Sequence, residues 1–164
     1  MRLAFFQPDI PQNLGAAIRL TACLATPLDV IEPCAFPLND RAIARVALDY
    51  GRGAHVRRHS SFDAFLAARQ PPQRLILLTT AASQSHFNFA FLPDDILLMG
   101  SESSGASPEA HAAADARVRI PMAPGLRSLN VATAAALALG EALRQTELWP
   151  DMRLGPEAGL GPET

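Results

Sequence analysis

The feature that most limits what this chain can fold into is a set of short, mostly apolar runs, each closed by residues that regular structure does not continue through. Residues 2–6 end at Gln7-Pro8, residues 28–31 at Glu32-Pro33, and residues 96–99 at Gly100-Ser101, while 74–80 read RLILLTT. Continuous apolarity, in place of strict alternation, is what a strand needs when helices cover both faces of its sheet. Between the runs lie segments whose apolar residues recur at helical spacing, such as Leu14, Ile18, Ala22 and Ala25. Strand and helix in alternation predict an α/β protein, a single domain with a mostly parallel sheet flanked by helices. A length of 164 residues suits one domain with a real core. We expect that domain to span 1–149, with 150–164, rich in proline and glycine, as a flexible C-terminal tail.

The remaining elements follow from their punctuation. Asn13 is placed to cap the first helix, which Pro27 closes, and Asn39 or Asp40 to cap a second running to Leu48. Residues 54–58 are short and polar, which predicts an edge strand. Ser60 or Ser61 caps a helix over 62–69, stopped by Pro71-Pro72, and Pro108 starts a short helix ending at Ala114. Phe87, Phe89 and Phe91 alternate with small or polar residues, which predicts a strand over 86–91. Residues 118–120 form one more apolar run, and 130–146 a long alanine-rich helix with Val131, Ala135, Ala138 and Ala142 on one face.

Charge and cysteine content narrow the function classes. The formal net charge is -2, unlike a general nucleic-acid binder. Yet every basic residue is arginine, and Arg41, Arg45, Arg52, Arg57 and Arg58 share a segment with a single acid, Asp49. Such a segment is suited to phosphates. Cys23 and Cys34 have no CxxC spacing, and His55, His59, His86 and His111 lack the paired spacing of a zinc site, so no metal is expected. No apolar run approaches the ~20 residues of a membrane span, so no membrane association is expected. Nor does the N-terminus resemble an export signal, and a cytoplasmic protein is the expectation.

The chemistry concentrates in residues 96–130, ILLMGSESSGASPEAHAAADARVRIPMAPGLRSLN. Two apolar runs here open into glycine- and serine-bearing loops, and open α/β sheets bind ligands where strands end in such loops. A third motif, Asn13-Leu14-Gly15 followed by Arg19, stands at the start of the first helix. A dinucleotide-binding dehydrogenase is disfavoured, because GxGxxG is missing after the first strand, although Glu32 stands at the end of the second.

Taken together, IPQNLGAAIRL, VIEPCAFPLNDR, ALDY, PQRLILLTT, MGSESSG, RIPM and RSLNVATA resemble, in order and over nearly the whole chain, the SPOUT superfamily of RNA methyltransferases. The resemblance is strongest to its small single-domain branch, which methylates the ribose 2'-hydroxyl of the tRNA wobble nucleotide, cytidine or carboxymethylaminomethyluridine in certain leucine tRNAs. It implies a C-terminal trefoil knot, S-adenosylmethionine as methyl donor, a homodimer, and the tRNA anticodon stem-loop as partner. Carried over by position, it implies donor contacts from Leu78, Gly100, Ile120 and Ser128, with Glu102 and Asn130 beside them. Gly100 would let the ligand approach closely. Glu102 would face a cation, cap Ser104 or pair with an arginine.

Asn13 and Arg19 are the implied catalytic residues. A guanidinium stays protonated, so Arg19 suits holding a phosphate and stabilising a developing alkoxide better than removing a proton. Two positions depart from the resemblance: Ser104 stands where relatives often have arginine, and Gly140 where close relatives carry tyrosine. Both leave the donor site intact and bear on the RNA. Another tRNA or rRNA position, or a non-catalytic RNA-binding module on the same fold, are the competing readings.

Overall fold

In the computed structural model, residues 1–38 and 55–150 are described. Six strands form one sheet: β1 (Arg2–Phe6), β2 (Leu28–Ile31), β3 (Val56–His59), β4 (Leu75–Leu78), β5 (Ile96–Met99) and β6 (Ala116–Val118). Their order is β3-β2-β1-β5-β4-β6, and every pairing is parallel. Among the described residues four helices flank the sheet, α1 (Pro11–Cys23), α2 (Phe62–Ala67), α3 (Pro108–Ala113) and α4 (Val131–Thr146). The expected α/β architecture is therefore present.

Side chains of successive strand residues point to opposite faces, and both faces are apolar. Leu3, Phe5, Leu28, Val30, Ile76, Leu97 and Met99 pack with Leu14, Ile18, Ala138 and Leu139 of α1 and α4. Ala4, Phe6, Ile31, Leu75, Leu77 and Leu98 pack on the other side with Phe62 and Phe65 of α2 and Ala110 of α3. The strands β2, β4 and β5 are buried throughout, which is why β4 and β5 read as unbroken apolar runs and the one polar residue of β2, Asp29, is paired. The sheet order reverses at β1, with β2 and β3 to one side and β5, β4 and β6 to the other. Such a reversal leaves a crevice at the carboxyl ends of the strands.

Several expectations need correction. Residues 86–91 do not form a strand: His86–Asn88 is a single 3-10 turn started by Ser85, whose Oγ accepts from Phe87 N. The alternation there reflects Phe89 and Phe91 packing edge to face in the core while Phe87 is exposed. Asn13 does not cap α1. The cap position is Ile10, without a side-chain hydrogen bond, and Pro11 starts the helix, where its missing N–H leaves nothing unsatisfied. β6 ends at Val118, so Ile120 lies in the loop beyond it. The expected helix from Asn39 or Asp40 to Leu48, the arginines at 41, 45 and 52, and the 151–164 tail fall outside the described residues.

The amino ends of the strands are held by buried charge. Asp29 on β2 accepts from Arg2 Nε at 2.7 Å and Nη2 at 2.8 Å, and its Oδ1 lies 2.8 Å from His59 Nε2. One carboxylate, 2% exposed, thus links β1, β2 and the edge strand β3. Removing one partner of a buried pair leaves the other charge uncompensated. Asp29→Ala is expected to lower the unfolding free energy by about 3 kcal/mol in urea titration; a loss below about 0.5 kcal/mol would show that the cluster contributes nothing to stability.

Candidate active site

The carboxyl ends of β1, β4 and β5 and the segment after β6 enclose a cavity of about 490 Å3. Its wall comes from four parts of the chain: Ile10 and Asn13 at the start of α1, 78–80 after β4, 99–106 after β5, and 120–134 leading into α4. The volume lies in the range of small-molecule sites. Apolar groups such as Leu78, Met99, Ile120, Met122 and Leu129 alternate with Thr79, Thr80, Ser101, Ser128 and Asn130, a lining suited to a ligand with both a flat apolar part and polar edges.

Residues 101–105 form a tight turn, closed by Ser101 N to Gly105 O at 3.0 Å and Gly105 N to Ser101 O at 2.9 Å. Gly105 has φ +71°, a conformation that favours glycine. Gly100 is also required by the turn itself. A Cβ at 100 would lie 2.5 Å from Ala106 N and from Gly105 C, so its absence makes room for the turn's own backbone. Ser104 turns its Oγ onto Ser101 Oγ at 2.6 Å and so belongs to the same turn.

Glu102 is the hub. Its Oε2 accepts from Asp9 N at 2.7 Å and its Oε1 from Asn13 Nδ2 at 2.9 Å. Asn13 Oδ1 in turn accepts from Asn130 Nδ2 at 2.9 Å, and Asn130 Oδ1 accepts from Ala132 N and Thr133 N at the start of α4. Among the described residues Glu102 bonds neither Ser104 nor an arginine; its partners there come from the first loop and the first helix. This explains the burial of Asn13, which a capping role does not require. Asp9 returns the contact, accepting from Ser103 N at 2.9 Å and from Ser103 Oγ.

Of the residues singled out from sequence, Asn13, Leu78, Gly100, Glu102, Ile120, Ser128 and Asn130 all line this cavity. Arg19 does not. It is exposed on α1, and six residues beyond Asn13 at 100° each it points about 120° away from it. Ile10, Thr79, Thr80, Met122 and Leu129 line the cavity without having been singled out. The signal available for them was adjacency to a strand end or to Asn130.

The SpoU rRNA Methylase family matches residues 1–140. The chain belongs to that family. Membership makes it an enzyme of the methyltransferase class. Among related proteins, the tRNA (cytidine(34)-2'-O)-methyltransferase of Beijerinckia indica is 52% identical over 159 residues, covering 96% of this chain and 99% of that one. The enzyme of the same name from Escherichia coli is 37% identical over 147 residues, covering 88% and 93%. A solved structure concerned with 2-OH methylation of C/U34 on tRNA superposes with TM-score 0.82 at 38% identity, covering 88% of this chain and 94% of that chain. The SpoU methyltransferase AviRb from Streptomyces viridochromogenes, in complex with the cofactor AdoMet, superposes with TM-score 0.78 at 28% identity, covering 88% of this chain and 60% of that one. The SpoU fold in this chain is thus a single parallel-sheet α/β domain with flanking helices.

Hydrogen bonds from the Ser103 hydroxyl and backbone hold the Asp9 carboxyl below the usual carboxylate range. A depressed folded value means that this contact stabilises the folded state above pH ~4 and is lost as pH falls through the lowered value. Ser103→Ala is expected to raise the Asp9 value toward the ordinary one, as read by NMR titration of the carboxyl carbon; an unchanged value would mean that the hydroxyl does not bond the carboxylate in solution.

Proposed function

We propose that this chain transfers a methyl group from S-adenosylmethionine to the ribose 2'-hydroxyl of the wobble nucleotide of tRNA, cytidine or carboxymethylaminomethyluridine at position 34 of leucine tRNAs. The observation that carries the proposal is the convergence of Leu78, Gly100, Glu102, Ile120, Ser128 and Asn130 on one cavity of suitable size. Relatives that are up to 52% identical and named for cytidine 34 support the nucleotide. An AdoMet complex of a structural relative supports the donor. The reading also takes residues 120–130 to be threaded as the trefoil knot of the SPOUT superfamily, and the reaction to occur in the cytoplasm.

Bound there, the donor supplies a methyl group on a positively charged sulfur. The ribose oxygen–methyl bond forms as the methyl–sulfur bond breaks, and the hydroxyl proton is released to solvent. The protein's part is alignment and exclusion of water. Leu78 and Ile120 offer an apolar wall for adenine, while Ser128 and the Thr79-Thr80 segment offer polar atoms. Asn13, tied to both Glu102 and Asn130, fixes the distance between the 101–105 turn and the last helix.

Arg19, exposed on α1, is assigned to the target phosphate and the developing alkoxide. The RNA partner is the anticodon stem-loop. Leu137, Leu148 and Trp149 expose 48%, 42% and 48% of their surfaces on and after α4, which supports a homodimer built on that helix. Gly140 belongs to the same surface: a Cβ there would meet the Trp149 ring at 3.9 Å, so an aromatic ring is supplied from the following segment.

Incubation of the purified protein with labelled donor and bulk tRNA is expected to place label on the ribose of the wobble nucleotide. Retention of tRNA on a filter without label would instead identify a non-catalytic binder. Arg19→Ala is expected to reduce transfer at least ~100-fold, the scale of a lost electrostatic stabiliser, with donor affinity within about twofold of wild type. Equal loss of both would mean that Arg19 is structural.

A further inference from the structure

Among the residues that line the cavity, Glu102 is the one with an ionisable side chain; the others are apolar, hydroxyl or amide. Its two oxygens accept from Asp9 N and Asn13 Nδ2, the pattern of an ionised carboxylate, which has acceptor sites to spare. The amino end of α4 also reaches the cavity, and a helix amino end is partly positive. Two of its free N–H groups, however, donate to Asn130 Oδ1, so that end is capped and its field is reduced. Described as a set of charges, the wall is one fixed negative charge in a half-enclosed, largely apolar surround.

We infer that Glu102 makes this cavity discriminate by charge, favouring the cationic methyl donor over the product left after transfer. The inference rests on the reading of S-adenosylmethionine as the donor. Donor and product have nearly the same shape and differ at sulfur. The donor carries a sulfonium, an ammonium and a carboxylate, net +1, whereas S-adenosylhomocysteine carries only the last two, net zero. An apolar wall and neutral hydroxyls cannot tell these apart, because loss of one methyl changes the buried area little. A carboxylate can, since its Coulomb attraction to the sulfonium has no counterpart once the sulfur is neutral. Glu102 is only half-buried, and solvent screening reduces the difference to about tenfold in affinity.

The consequence for turnover is direct. Methyl transfer removes the positive charge from sulfur, so the attraction to Glu102 ends at the step that makes product. A site that used only apolar contacts would hold product as firmly as donor. The same carboxylate therefore has two duties: through Asp9 and Asn13 it fixes the turn, and through its charge it favours exchange of spent donor for fresh.

Calorimetric titration of the purified full chain at neutral pH separates the two duties. The ligands are S-adenosylmethionine, S-adenosylhomocysteine, and the analogue in which a protonated amine replaces the sulfonium. In the wild type, both cationic ligands are expected to bind about tenfold more tightly than S-adenosylhomocysteine. Glu102→Gln should bring all three within about twofold of one another, and Glu102→Asp, which keeps the charge, should retain the preference at lower affinity. Asn13→Ala removes one of the same hydrogen bonds without altering the charge, and should weaken all three ligands alike.

Equal wild-type affinities, or a preference that survives in Glu102→Gln, would overturn the inference. Should Glu102→Gln fail to fold, the wild-type and Glu102→Asp titrations decide it by themselves. Failure of all three ligands to bind the wild type would overturn the donor reading, and this inference with it.

Discussion

The pair of hydrogen bonds accepted by Glu102 is the constraint on which the site depends. One carboxylate joins the loop after β1, the first turn of α1 and the 101–105 turn, and through Asn13 it also reaches the cap of α4. The three bonds join residues 93, 89 and 117 apart in the chain, so they tie the first loop and helix to segments that local structure does not place beside them. Each donor is a polar group that would otherwise be withdrawn from water unpaired, which makes the network stabilising only when complete. The cavity wall is thereby set by side-chain geometry, on top of a backbone that the sheet has already placed.

The two ends of the sheet divide the work. Toward the amino ends of β1, β2, β4 and β5, buried carboxylates meet arginines: Asp29 meets Arg2 and is also bonded by His59, and Asp95, 1% exposed, meets Arg74. Those pairs lock strand to strand and line nothing of the large cavity. At the carboxyl ends, the described cavity lining carries hydroxyls, amides and one carboxylate, close to where the strand order reverses. The helices α1 and α4 pack on one sheet face and bring Asn13 and Asn130 within hydrogen-bond distance. A half-enclosed cleft whose described lining carries one carboxylate and no cation is a sensible host for a small cation, whereas Arg19 lies outside it.

Much of this was legible in the chain, for reasons that particular elements show. β1, β2 and β5 were read with their boundaries because a buried parallel strand leaves a short, mostly apolar run closed by a breaker. α4 was legible because Asn130 both caps it and precedes a long alanine-rich stretch. The segment at 86–91 misled because two buried phenylalanines two residues apart imitate a strand's period, although the backbone there turns. Asn13 misled because a good capping residue near a helix start has a capping reading, whereas Pro11 had already started the helix and freed its side chain for Glu102. Gly100 was singled out for the approach of a ligand, but the second demand on it, the space taken by Gly105 and Ala106, depends on how the turn folds back and is not encoded locally. The sheet order and the lining by Ile10 and Met122 depend on pairings between distant segments, which no local pattern encodes.

The central claim is that three strand-end loops and the entry to α4 close around one small ligand. Amide hydrogen exchange, compared with and without saturating S-adenosylhomocysteine, tests it most directly. The account predicts added protection at residues 78–80, 100–106 and 120–133, with little change at the amino ends of the strands around Asp29 and Asp95. Protection confined to the amino-end cluster, or spread evenly over the chain, would contradict it.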